Sequence, residues 1–120
     1  MKILCLCEGG NVRSVAAASL LKMNFNQDTL AAGWRWNTPE TLELLFSWAD
    51  KIILMQECFQ DKVPSTHHNK VVVLDVGIDC YGTPFHPVLQ ENLNNRLQDW
   101  SNRGMPSGVD HVTPFLYELV

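Results

Sequence analysis

The chain has 120 residues, 46% of them hydrophobic and 18% charged, with a formal net charge of −4. That length accommodates one hydrophobic core, so residues 1–120 read as a single domain, and the composition excludes a disordered chain. The acidic balance disfavours nucleic acid and anionic membrane as partners, because neither is attracted to it.

From the N-terminus, "KILCL" (2–6) is a short apolar run that ends in glycines, as a strand buried in a parallel sheet does. "RSVAAASLLKMNF" (13–25) is rich in Ala and Leu and predicts a helix. "TLAAG" (29–33) predicts a second strand, stopped by Gly33. In "NTPETLELLFSWA" (37–49), Thr38 is placed to cap a helix that Pro39 starts. "DKIILMQ" (50–56) and "KVVVLDV" (70–76) predict two further strands, with a short helix at "ECFQDKV" (57–63) and a polar loop at "STHHN" (65–69). Leu89, Leu93, Leu97 and Trp100 fall at helical spacing and predict an amphipathic helix over 87–102. The tail 104–120 shows no clear pattern. Met23, Met55 and Leu93 are expected in the core.

No apolar run approaches the ~20 residues that cross a bilayer. The apolar part of "MKILCLCEGG" is too short for a secretion signal, so the four cysteines are expected as reduced thiols in a cytoplasm. A disulfide between Cys5 and Cys7 would be strained. His67, His68, His86 and His111 lack metal-ligand spacing, so no metal or other cofactor is expected.

Strands alternating with helices imply βαβ units: an α/β domain with a parallel sheet and helices on both faces. Ligands bind such sheets beyond the carboxyl ends of the strands. Two segments are expected there, "CEGGNVRS" (7–14) after the first strand and "DVGIDCYGTPFHP" (75–87) after the last.

The first segment has the makings of an anion cradle. A helix N-terminus offers free N–H groups and a partial positive charge to a tetrahedral dianion. Gly9 and Gly10 admit positive φ, which turns the amides of Glu8, Gly9, Gly10, Asn11 and Val12 inward. Arg13 adds a planar fork for two phosphoryl oxygens. Cys7 at the foot is favoured as a thiolate, a nucleophile for phosphorus. Ser14 is expected to donate to that sulfur and Asn11 to brace the loop. The plain alternative is a buried thiol before an ordinary turn.

"CEGGNVRS" resembles the catalytic loop of the low-molecular-weight protein tyrosine phosphatases, a family that includes one group of arsenate reductases. "LAAGWRWN" (30–37), "ADKIILMQ" (49–56) and "DCYG" (79–82) are also similar to family segments, so the resemblance spans about residues 1–100. It implies a phosphatase-like domain with a four-stranded parallel sheet in a three-layer sandwich. It also implies a cysteinyl-phosphate intermediate, and an Asp that protonates the leaving oxygen. Asp79 matches that acid, and Asp75 is the alternative. Trp36 and Tyr81 are candidates for the walls around an aryl ring. The implied substrate is a phosphorylated protein or a small aryl phosphate.

This chain departs from the family at several points. Gly10 stands where the family has Asn, which comes one residue later as Asn11. Glu8 replaces an apolar residue at the mouth, and should repel acidic substrates. Val12 replaces a frequent second loop cysteine, and Cys80 replaces the Pro after the acid. Two other functions stay open: arsenate reduction, against which the wide spacing of Cys58 and Cys80 counts, and a phosphate- or phosphoprotein-binding module without catalysis.

Overall fold

The computed structural model describes residues 1–77 and 80–109. Ten elements follow one another: β1 (Lys2–Cys7), α1 (Arg13–Phe25), β2 (Asp28–Gly33), α2 (Pro39–Trp48), β3 (Lys51–Leu54), 3₁₀ segments at Glu57–Lys62 and Ser65–Lys70, β4 (Val71–Val73), α3 (Pro87–Asn102) and β5 (Gly108–Val109). The strands form one parallel sheet in the order β2-β1-β3-β4-β5. β5 is an addition to the four expected strands, drawn from the tail that has no sequence pattern.

β1 lies inside the sheet, paired with β2 on one side and β3 on the other. From Ile3 to Cys7 it is wholly buried, which is why its sequence does not alternate. The chain passes from β1 to β2 in one direction and from β2 to β3 in the other, so right-handed crossovers put α1 and α2 on opposite faces. α3 packs beside α1. This is the expected α/β arrangement with helices on both faces.

The end of α1 and the start of α2 have local causes. In α1 the buried Ala16, Ala17 and Ala18 let the helix approach the sheet closely, and Asn26 ends it in the left-handed region at φ 55°. Thr38 Oγ1 accepts the Thr41 N–H at 3.1 Å and Pro39 occupies the first turn, so α2 starts as the sequence predicts. α3 buries Leu89, Leu93, Leu97 and Trp100, and also Asn92 and Arg96 on the same side. The Trp100 indole N–H donates to the Pro106 carbonyl at 2.8 Å, which ties the chain after α3 to the core.

Three expectations need correction. Met23 is 77% exposed: it falls on the outer side of α1, whereas Met55 and Leu93 are buried as expected. The segment 65–69 is a 3₁₀ turn, because His67 goes inward. Its Nε2 is 2.8 Å from Glu43 Oε1 and its ring centroid is 5.6 Å from that of Phe46, the environment of a satisfied core histidine. The helix expected over 57–63 is likewise 3₁₀. No helix among the described residues is long and apolar enough to cross a membrane.

β1 and β3 are tied at their starts by Asp50. Its N–H donates to the Lys2 carbonyl and its Oδ2 accepts the Lys2 N–H, each at 2.8 Å. The second bond, with the cationic groups of Lys2, the N-terminus and Lys70, holds the Asp50 carboxyl below its ordinary value of 3.8. A depressed carboxyl stabilises the folded state above its unfolded pKa, and that share is lost as pH falls through the folded value. Asp50→Asn should therefore lower the melting temperature modestly near pH 7 and leave it closer to the parent's in acid. A thermal melt series across that range checks this; a deficit that grows with acidification would contradict it.

Candidate active site

The cradle begins where β1 ends. Cys7 is the last residue of β1, in register with Gly33, the last of β2. Pairing continues past both strands: Trp34 N–H donates to the Cys7 carbonyl at 3.3 Å and Arg35 N–H to the Glu8 carbonyl at 3.0 Å. The loop thus leaves the sheet with its outer limb held.

Two glycines set its shape. Gly10 has φ +72° and lies flat on the end of β2: a Cβ on it would come within 2.6 Å of Gly33 N and Ala32 C. A Cβ on Gly33 would come within 2.4 Å of Gly10 N and Gly9 C. No side chain fits between these backbones. Asn37 completes the joint, accepting the Gly33 N–H on Oδ1 at 3.0 Å.

The turn brings the Gly10 N–H to 3.2 Å from Cys7 Sγ. The Cys7 thiol lies 3.2 Å from Ser14 Oγ and donates to it. When the sulfur is ionised the same pair reverses, with the Ser14 hydroxyl donating. α1 starts at Arg13 with Val12 at the N-cap; no side chain caps it and no acid lies in its first turn. Its leading N–H groups and partial positive charge are thus left uncompensated by side chains.

Arg13 is 1% exposed. Its Nη1 donates to Gln56 Oε1 at 2.6 Å and to the Gly77 carbonyl at 2.9 Å. Its Nε is buried without a partner, and the Phe59 ring centroid lies 6.0 Å from the guanidinium carbon. Cys7 itself is 0% exposed. Two clefts among the described residues do not have Cys7 in their lining, one of 420 Å³ reaching Trp34, Leu42, Phe46 and Lys62 and one of 270 Å³ reaching His68 and Ser107.

The remaining expected residues fall into different places. Glu8 is half-buried beside Cys7 and Gly9 is half-buried after it. Asn11 is exposed, and among the described residues its side chain makes no hydrogen bond, so it does not brace the loop; Asn37 does. Asp75 accepts the Gly77 N–H on Oδ1 at 2.7 Å and the Glu57 N–H on Oδ2 at 3.1 Å, which makes it a turn-forming bracket. Asp79 lies outside the described residues. Trp36 is 74% exposed on the turn after β2, free to serve as a wall. Tyr81 is 5% exposed, its hydroxyl bonded to the Val76 carbonyl at 2.9 Å and its ring edge-on to His86, so here it is packing and not an open wall.

Cys58 and Cys80 are exposed free thiols, and Cys5 is a buried one. Burial, with Cys7 close by, pushes the Cys5 thiol far up and keeps it neutral. Sequence reasoning missed Gln56, Gly33 and Asn37. The signal for Gly33 was present, since a glycine that ends a strand opposite a Gly-Gly loop marks close backbone approach. Nothing in the sequence marked Gln56.

No protein-family model matches the chain, and no curated protein matches it by sequence. Solved structures do match. The chain is similar to the crystal structure of a YwlE mutant from Bacillus subtilis, with TM-score 0.68 and 18% identity over 88% of this chain and 99% of that one. It is similar to a YwlE arginine phosphatase mutant with a phosphorylated active-site serine, with TM-score 0.64 and 18% identity over 86% and 95%. It is also similar to the solution structure of a low molecular weight protein tyrosine phosphatase from Bacillus subtilis, with TM-score 0.61 and 20% identity over 85% and 98%. At these identities the likeness is one of backbone, and this chain has the fold of the low-molecular-weight phosphatases.

The Gly10–Gly33 joint is directly testable. Gly33 has no positive φ, so the cost of Gly33→Ala is steric. Overpacking against backbone should destabilise the protein by about 1–3 kcal/mol, read as a lower urea midpoint. Wild-type stability in that variant would mean the two backbones stand further apart than described.

Proposed function

We propose that this chain is a cysteine-dependent phosphomonoesterase of the low-molecular-weight type, acting on a phosphorylated protein or a small aryl phosphate. The observation that carries this reading is the pair of contacts to Cys7 Sγ, one from the Gly10 amide and one with Ser14, at the start of an uncapped helix that opens with Arg13. A thiol that accepts from a loop amide and pairs with a hydroxyl able to donate once the sulfur is ionised suits a nucleophile facing an anion. The phosphorylated active-site serine in one similar structure fits a covalent phospho-enzyme on this fold.

In the proposed first step Cys7 Sγ, as the thiolate with its proton already released to solvent, forms a bond to phosphorus in line with the leaving oxygen. The P–O bond to that oxygen breaks, and Asp79 gives the oxygen its proton. The loop amides and Arg13 hold the equatorial oxygens. In the second step water attacks the cysteinyl phosphate and returns its proton to Asp79. The P–S bond then breaks, and the Ser14 hydroxyl donates to the departing sulfur. Asp79 takes the acid role in preference to Asp75, whose two oxygens are already occupied by backbone N–H groups.

A second substrate reading has its own support. One similar structure is an arginine phosphatase, and Glu8 places a carboxylate beside the nucleophile where a phosphotyrosine ring has no use for one. A phosphorylated guanidinium would pair with it. Glu8→Leu should then raise activity on an aryl phosphate relative to phosphoarginine; an unchanged ratio would remove Glu8 from substrate choice.

Cys7→Ser should abolish turnover of p-nitrophenyl phosphate yet keep phosphate affinity within about an order of magnitude, since amides and Arg13 supply the binding. Arg13→Lys should lose both, because a point charge does not replace the planar fork. Wild-type turnover in Cys7→Ser would end the covalent mechanism, and binding without turnover in the parent would favour the non-catalytic module. Thiol-coupled consumption of arsenate would favour the reductase.

The acid is assigned by leaving group. Phenolate has a conjugate acid near ~10 and needs a proton that p-nitrophenolate needs far less. A positioned acid is worth about 10²–10⁴-fold. Asp79→Asn should slow phenyl phosphate much more than p-nitrophenyl phosphate and remove the alkaline limb of the pH–rate profile. Asp75→Asn should affect both substrates alike; leaving-group dependence there instead would transfer the role to Asp75.

A further inference from the structure

A guanidinium has five N–H donors in one plane, and which edge meets a phosphoryl group depends on what holds the others. In Arg13 both Nη1 hydrogens have acceptors, Gln56 Oε1 at 2.6 Å and the Gly77 carbonyl at 2.9 Å, whereas the buried Nε–H has none. The acceptors are themselves fixed. Met55 N–H pairs with the Leu6 carbonyl on one side of Gln56, and Asp75 Oδ2 holds the Glu57 N–H on the other. The second oxygen of Asp75 holds the Gly77 N–H.

We propose that Gln56 is a positioning residue that, with the Gly77 carbonyl, consumes Nη1 and turns the Nε–Nη2 edge of Arg13 toward the oxyanion above Cys7. This rests on the phosphatase reading and adds why residue 56 is a neutral amide. Among the described residues Arg13 makes no ion pair; its two acceptors are a carboxamide and a backbone carbonyl. They orient the guanidinium and leave its positive charge for the substrate dianion. A carboxylate at position 56 would accept the same hydrogen bond while neutralising that charge.

Gln56→Glu and Gln56→Met separate orientation from charge. Sulfate serves as the probe, because its charge is constant across the range used, and its affinity is compared with that of the parent at each pH. At about pH 8, Gln56→Glu should bind sulfate roughly 10–100-fold more weakly than the parent, the worth of a charged hydrogen bond. On acidification the deficit should shrink only once the introduced carboxylate takes up a proton, which the adjacent Arg13 delays to below the ordinary glutamate range. Gln56→Met should lose kcat on p-nitrophenyl phosphate by up to about 10²-fold through misalignment, with a pH-independent deficit in sulfate affinity. Parent-like sulfate affinity and kcat in both variants would overturn the role of Gln56 while leaving the phosphatase reading intact. Equal, pH-independent deficits in both, accompanied by lower melting temperatures, would also overturn it, as a structural prop behaves that way. A parent protein that neither binds sulfate nor turns over p-nitrophenyl phosphate would overturn the phosphatase reading itself.

Discussion

The contact between Gly10 and Gly33 sets the geometry on which the rest of the site depends. Two backbones meet there with no room for a Cβ on either side. The meeting point fixes how far the loop after β1 swings from the sheet, and so where the Gly10 amide points relative to Cys7. It also fixes the start of α1, because only two residues separate Gly10 from Arg13. Substituting either glycine would move the amide, the helix end and the arginine together.

Around that joint, structural and chemical demands are assigned to different residues. Asn37 holds Gly33 from behind, Asp75 holds the turns after β3 and β4, and His67 with Glu43 joins the second 3₁₀ segment to α2. These are polar groups whose hydrogen-bonding capacity goes to local structure. Cys7, Ser14 and Arg13 have capacity in reserve, most plainly the unpartnered Nε of Arg13. Buried polar atoms in folded proteins are nearly always satisfied, and the bare Nε of Arg13 is one of the few here that is not. Cys5, two residues before Cys7 on the same strand and equally buried, shows the contrast, since among the described residues no donor reaches its sulfur.

Much of this is legible in the sequence because it is periodic or local. The unbroken apolar run of β1, the capped start of α2 and the leucine spacing of α3 each follow from a rule about a few neighbouring residues. The cradle is legible for the same reason, since thiol, glycines, arginine and serine lie within eight positions. What escapes is non-local. Gln56 is 43 residues from Arg13, and no spacing rule links them. His67 in a polar run reads as a loop until its partner Glu43, 24 residues earlier, is known. Asn11 matches the expected brace by type and fails by position, because the brace needs to stand behind Gly33, a place reached from the far side of β2. Met23 misleads because an apolar residue on a short helix says little about which way it faces.

Asp75 has a further consequence. Its two oxygens grip the chain on either side of the same gap, one after β3 and one after β4, so the two acceptors of Arg13 are mounted on a common bracket. A displacement of either turn drags the other, and the guanidinium experiences them as one rigid jaw in place of two independent tethers. The arginine's orientation is thus inherited from a carboxylate that never touches it.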